Sequence, residues 1–225
     1  MHKIIFASHD SSNEPGKLEF IRGLMSPYVY QQNSVEGILD MPIVAPYNGE
    51  IPTAFVQFSD TPRNKEYTAG VHCYQTDERI NPLWSNPTKY VARLKQYTCV
   101  IAPDFSLFLD LDKMANLWNV YRNRKLANYW VSQGIKVIPS ASWGNADSLA
   151  YCFDGLPEKS IISIGHIAIG KDRQLKQLYR LALETLVEKK SPTGLLVYGS
   201  PLDFNPGVKV YYRKDRIMKL RELRK

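Results

Sequence analysis

Residues Tyr97 to Asn145 read YTCVIAPDFSLFLDLDKMANLWNVYRNRKLANYWVSQGIKVIPSASWGN. An apolar run, Cys99 to Ala102, stops at Pro103 and Asp104. A long amphipathic segment follows from about Lys113 to Ser132, and Gly134 closes it. A second apolar run, Ile135 to Ile138, stops at Pro139. This is the pattern of a strand, a crossover helix and a parallel strand.

The same alternation extends outward. Thr53–Phe58 and Gly70–Tyr74 read as strands, and a helix begins near Thr88 after Asn86-Pro87, with proline in its first turn. Asp147–Phe153 reads as a short helix, Ser160–Ile167 as a strand, and Lys171–Lys190 as a long helix with leucines along one face. Gly194–Tyr198 and Val208–Tyr212 complete the strands. The expected fold is α/β, a mostly parallel sheet of about five to seven strands with crossover helices. An open sheet or an incomplete (β/α) barrel fits, because a full eight-fold barrel usually takes about 250 residues. Residues 1–50 read as an irregular segment packed on an α/β domain of residues 51–207, with a short helix at Lys17–Met25. Residues 208–225 read as the last strand and a basic tail.

The chain has 225 residues, 44% of them apolar, and a mean hydropathy of -0.31. No apolar run approaches the length of a membrane span, and the N-terminus lacks the apolar core of a signal peptide. Cys73, Cys99 and Cys152 make an odd count without metal-site spacing, as expected of buried, reduced thiols in a cytoplasmic protein. The formal charge is +7. From Val208 to Lys225, eight basic residues face only Asp215 and Glu222, so this segment carries +6 of that +7. A basic helix from Arg213 to Lys225, with Arg213, Lys214, Arg216, Lys219 and Arg221 on phosphates, is the expected nucleic-acid contact.

In parallel sheets, ligands bind beyond the carboxyl ends of the strands. Those ends carry Asp104 and Ser106, then Ser140, Ser142 and Trp143, then Gly165 and His166, then Tyr198 to Ser200. Asp104, directly after an apolar strand, is placed to bind a metal, act as a base, orient an arginine or cap the turn after Pro103. His166 at a strand end is the second candidate catalytic residue. His72, mid-strand, reads as a hydrogen-bonded core residue. Asp110 and Asp112 resemble a metal-binding pair, yet Asp112 fits better as the cap of the long helix. On that helix Met114, Leu117, Trp118 and Tyr121 share an apolar face. Asn119, Arg122 and Asn123 share another, with Arg124 and Lys125 following. An asparagine–arginine stripe suits a phosphate or carboxylate, because guanidinium presents a rigid donor fork, unless it is simply a solvated face. The chain carries no phosphate loop, HExxH, GxSxG, CxxC or paired HxH motif. No metal or cofactor is assigned.

At several of these residues the sequence resembles DUF4417, an uncharacterised family. The resemblance spans about Pro42 to Ser200. It runs through AGVHCYQTDERINPLWSNPTKY, APDFSL, WNVYRNR, YWVSQGIKVIP, CFDGLP and VYGS. Matching residues are Asp77, Trp84, Asp104, Ser106, Asn119, Arg122, Asn123, Arg124 and Trp143. Gln75-Thr76-Asp77 departs from the pattern, with one carboxylate where two are usual, which argues against a two-carboxylate metal site. Gly165-His166 departs too, the family being less polar there. The resemblance implies a family without assigned activity, common in bacteria, phages and mobile elements. The expected function is therefore a phage or mobile-element type protein that binds or acts on nucleic acid. Two other classes stand beside it: an enzyme or sensor for a small anionic, nucleotide-like ligand, and a non-catalytic inhibitor of a host protein. Asp104 and His166 are the expected catalytic pair. Ser106, Asn119, Arg122, Asn123, Arg124 and Trp143 are the expected ligand contacts. The expected location is the cytoplasm, that of the host for a phage-encoded chain, with no membrane partner.

Overall fold

A computed structural model describes residues 34–166 and 172–214. The chain divides into two units, Met1–Gln31 and Gln32–Lys225, and the described residues all belong to the second. The Lys17–Met25 helix reading and the contacts expected of Arg216, Lys219 and Arg221 lie outside the described residues.

A small hairpin comes first, β1 (Val35–Glu36) and β2 (Met41–Pro42). It is pinned by Glu36, whose carboxylate accepts from the buried Lys190 ammonium at 2.6 Å and from the Gly155 N–H at 2.7 Å. Then follow β3 (Phe55–Gln57), β4 (Gly70–His72), α1 (Asp77–Ser85), α2 (Pro87–Leu94), β5 (Cys99–Ile101) and α3 (Lys113–Ser132). After them come β6 (Val137–Ile138), β7 (Ser140–Ala141), β8 (Ile161–His166), α4 (Arg173–Lys190), β9 (Gly194–Gly199) and β10 (Val210–Arg213).

Helix ends follow from the sequence. The Asp112 carboxylate accepts from the Ala115 N–H at 3.0 Å and caps α3, and Asp172 caps α4 through Gln174 and Leu175. Gly134 stops α3 with a φ of 80°, a left-handed backbone that side chains resist. Helix α1 is absent from the sequence reading. Pro82 stands inside it, and a proline mid-segment reads as a breaker.

Strands β3-β4-β5-β6 form one parallel sheet, and β7-β8-β9-β10 another. They meet in one stretch of chain. Val137 and Ile138 pair with β5, and two residues later Ser140 and Ala141 pair with β8. β6 ends before Pro139, as the sequence reading had it, and the chain re-enters a sheet one residue later as β7. Pro139 interrupts the ladder while its carbonyl still accepts from the Ser163 N–H at 2.8 Å. The combined order runs from β3 to β10 without an antiparallel step.

This sheet is strongly curled. β3 and β10 lie six strand spacings apart, about 29 Å if the sheet were flat. Yet Arg213, the last residue of β10, donates from Nε to the carbonyl of Pro52, just before β3, at 2.7 Å. Likewise His72 Nε2 on β4 meets the Tyr198 hydroxyl on β9 at 2.9 Å. No ladder closes β3 on β10 among the described residues, so the barrel is incomplete. Its inner face packs Phe55, Cys99, Ile101, Ile138, Ile161, Leu196 and Tyr211 into one cluster. The outer face packs in two clusters, one around Leu126 and Trp130 of α3 and one around Leu183 and Leu186 of α4.

All three cysteines are buried and unpaired. Burial pushes the Cys99 and Cys152 thiols up to about 12 and raises Cys73 as well. Thiolate is the reactive form. Native protein should therefore react with a thiol reagent far more slowly than urea-unfolded protein, followed by absorbance. Prompt loss of even one thiol in the native state would contradict this burial.

Candidate functional site at the strand carboxyl ends

A cavity of about 450 Å³ opens where β5, β7 and β8 end under α4. Its wall includes Asp104, Ser106, Ser142, Trp143, Gly165 and Tyr179. Leu107, Leu109, Leu175 and Leu178 supply apolar sides. Among the described residues that line it, none is lysine, arginine or histidine.

Asp104 is the central polar group. Burial pushes its carboxyl up to about 7, the Asp77 charge adds to the rise, and hydrogen bonding to Ser142 offsets part of it. Its Oδ1 is buried without a hydrogen-bond partner, while the residue keeps some surface open to the cavity. Gly165 matters here for its missing side chain. A Cβ at this position would sit 3.2 Å from the Tyr74 ring and 3.9 Å from Asp104 Oδ2. In the same wall, Trp143 and Tyr179 meet at 4.8 Å with their rings inclined by 61°.

The loop that presents Asp104 is held from both sides. The Ser106 hydroxyl and N–H donate to Asp77 Oδ1, at 2.9 and 3.1 Å. On the other side α3 lays down a ladder of asparagines at positions 116, 119 and 123. Asn116 exchanges two 2.9 Å bonds with the backbone of Phe108. Asn119 donates to the Ser106 carbonyl at 2.7 Å. Asn123 donates to the Pro103 carbonyl and to Ser140 Oγ. These spacings bring one helical face over residues 103–108.

The structure departs in part from the expected faces of α3, with Leu117 and Tyr121 packed on the core as expected. The asparagine stripe is buried, and Met114 and Trp118 of the apolar face are exposed. The backbone of a strand-to-helix loop must be hydrogen-bonded when buried, and the asparagines do this.

The arginines do not converge on Asp104 as a ligand grip. Arg124 is only 2% exposed and faces away from the cavity lining. It donates to the carbonyls of Asp154, Ser140 and Cys152, at 3.0, 3.0 and 2.8 Å, and to Asn123 Oδ1 at 2.5 Å. Arg122 lies over the Phe105 ring at 3.9 Å. It donates to Asn119 Oδ1 and, at 2.9 Å, to Asn81 Oδ1. The charged group that bears on Asp104 is Asp77.

His166 is separated from Asp104 by strand alternation. Ser163 and Gly165 turn inward on β8, and His166 turns outward against Tyr179, with ring centroids 4.7 Å apart. Its Nδ1 lies 2.7 Å from the Ser200 carbonyl and so carries the proton there. His72, expected mid-strand, is the last residue of β4, and it is buried against Tyr198 as expected of a hydrogen-bonded core residue. Arg213 belongs to β10 rather than to a helix. Of the residues singled out in the sequence, Asp104, Ser106, Ser142, Trp143 and Gly165 share the cavity. Tyr179, Tyr74 and Asn116 were not foreseen. Tyr179 had one signal, as the sole aromatic residue of an otherwise aliphatic helix face.

Among the described residues, no three His, Cys, Asp or Glu are grouped to hold a metal ion. Among the same residues no helix is long and apolar enough to cross a membrane.

The fold and site define a parallel α/β protein with a polar cavity at its strand carboxyl ends. The chain belongs to the family described as a domain of unknown function, DUF4417, which matches residues 34–211. It is 33% identical over 203 residues to the Gene 1 protein of Mycobacterium phage L5, covering 88% of this chain and 85% of that one. It is also 33% identical over 196 residues to the Gene 1 protein of Mycobacterium phage D29, covering 84% and 68%. It is thus a phage-type member of the family. No solved structure matches it.

Proposed function

We propose that this protein binds nucleic acid across the carboxyl edge of its sheet, with the Asp104 cavity as the polar site and basic residues beside it as phosphate contacts. One observation carries the reading. β10 runs parallel to β9 and β8, so the chain leaves β10 at the same edge on which the cavity opens. Lys214, Arg216, Lys219, Arg221, Arg224 and Lys225 follow from that edge in sequence.

The arrangement argues against a small anion held in the cavity itself. Among the described residues the wall contains a carboxyl and no cation, and a carboxylate repels an anion.

Salt dependence tests the proposal. Binding to single- and double-stranded oligonucleotides should weaken steeply as salt rises. Removing residues 215–225 spares Arg213, which ties β10 to Pro52, so the truncated chain should fold. Its log–log salt slope on duplex should fall by up to about 4, since five basic residues are lost. An unchanged slope would remove the tail from the interface, and salt-independent or absent binding would end the nucleic-acid reading.

A second reading, binding of a host protein, is favoured by an exposed apolar ridge beside the cavity. Phe108, Leu109, Leu111, Met114 and Trp118 stand open, Met114 at 70%, and contiguous apolar patches of this kind mark interaction sites. A stoichiometric host protein that protects this ridge from hydrogen exchange would favour it.

A further inference from the structure

We infer that the cavity takes a single unstacked nucleobase, and that Asp104 selects bases carrying an exocyclic amino group. The inference rests on the nucleic-acid reading above and names the chemistry of its central pocket.

Three features of the cavity converge. Among the described residues that line it, the polar side chains include Asp104, Ser106 and Ser142, and none is basic. A phosphate has no partner in such a place, whereas an amino group has an acceptor. The sides are leucines and two rings, Trp143 and Tyr179, inclined by 61° at 4.8 Å. A flat heterocycle entering between the leucines meets the face of one ring and the edge of the other, both favourable aromatic contacts. At the floor, Gly165 leaves free the space that any side chain would fill beside Tyr74 and Asp104. The volume of about 450 Å³ lies in the range of small-ligand sites.

A cationic side chain from a protein partner would also satisfy the carboxyl. The charge around the edge decides against it. Residues 208–225 carry eight basic groups against two acidic ones in the sequence, and β10 brings Arg213 and Lys214 to its carboxyl end. That field repels a cation and attracts a phosphodiester. A carboxyl in the cavity and a cationic segment that follows β10 in sequence match a nucleotide whose base is buried and whose phosphates remain at the surface. Proteins that read a base in this way take it out of the stack or use single strands.

Base preference follows from donor patterns. Cytosine and adenine present an amino group to an acceptor. Thymine presents one N–H flanked by two carbonyls, which repel a carboxylate. Fluorescence anisotropy at fixed salt and pH 8, where the Asp104 carboxyl is ionised, on single strands of equal length, oligo(dC), oligo(dA), oligo(dT) and an abasic strand, tests this directly. The abasic strand should bind about tenfold more weakly than oligo(dC), the scale of one stacked base, with oligo(dT) in between. Asp104→Asn should abolish the preference of dC over dT. Trp143→Ala should bring the base-bearing strands towards the abasic value while the salt slope stays as in the parent. Melting curves establish that each variant is folded, and the wild-type comparison of abasic with dC stands without them. Equal binding of abasic and dC strands would overturn the base pocket and leave the nucleic-acid reading intact. A dC preference that survives Asp104→Asn would overturn the role of Asp104. No binding of any strand would overturn both readings.

Discussion

Asp104→Asn should melt higher than the parent protein at pH 8, by roughly 6–12 °C, with the two converging near pH 4. The unfolded carboxyl ionises near its ordinary value of 3.8, and the folded one is pushed up to about 7, chiefly by burial. Between these values the folded state holds a proton that the unfolded state has lost. Stability contributed by this group is therefore fully present below about pH 4, falls as pH rises, and is lost once pH passes about 7. The full shift corresponds to about 4 kcal/mol. Because part of the group is open to the cavity, about 3 kcal/mol is the fairer figure. An amide carries no charge to desolvate, so the variant escapes the loss. The readout is the difference in melting temperature between the two proteins across pH 4 to 8, since other groups titrating in both cancel. Removing a carboxylate that served a structural pair would give the opposite sign, a variant less stable at neutral pH. Higher stability together with loss of base preference would mark Asp104 as a group kept for binding at a cost in stability, as functional sites commonly are.

The fold was largely legible because the βαβ periodicity is a backbone-level signal. Apolar runs of three to six residues and a 20-residue helix between them leave few topologies. The sequence left an open sheet and an incomplete barrel side by side, and the curl that separates them was not decided. It shows only in contacts such as Arg213 with Pro52 and His72 with Tyr198, which join residues more than a hundred positions apart. The site was half legible. Strand ends place Asp104, Ser142, Trp143 and Gly165 together by topology alone. The direction a helix faces is different. Apolar spacing gave α3 an apolar face of Met114, Leu117, Trp118 and Tyr121, yet only Leu117 and Tyr121 pack on the core while Met114 and Trp118 are exposed. The sheet edge there offers loop carbonyls rather than apolar surface, and asparagine satisfies carbonyls where leucine does not. His166 misled for a related reason. Its position at a strand end was right, but a shift of one residue along β8 reverses the face, so it meets Tyr179 rather than Asp104.

Arg124→Met should destabilise the protein by about 3–5 kcal/mol, read as a lower urea midpoint at unchanged slope. Arg124 resembled a ligand residue in the sequence, because guanidinium so often grips phosphate. In the structure its donors go to three backbone carbonyls, from β7, from the turn at Cys152 and from Asp154, and to Asn123. It therefore joins α3 to β7 and to the segment before β8. Methionine fills most of the volume but donates nothing. Each buried acceptor left without a donor costs about 1–3 kcal/mol, and relaxation around the site recovers part of this. Burial pulls the guanidinium down to about 10, with the nearby Cys152, Asp154 and Glu36 opposing that fall, so it remains charged at neutral pH. Arg124→Lys separates charge from geometry. An ammonium keeps the charge but does not span three carbonyls at once, so lysine should rescue only a minor share of the loss. Strand affinity per folded molecule should stay at the parent value in both variants, because Arg124 does not line the cavity. Near-native stability with lost affinity in Arg124→Lys would instead return this arginine to the binding site.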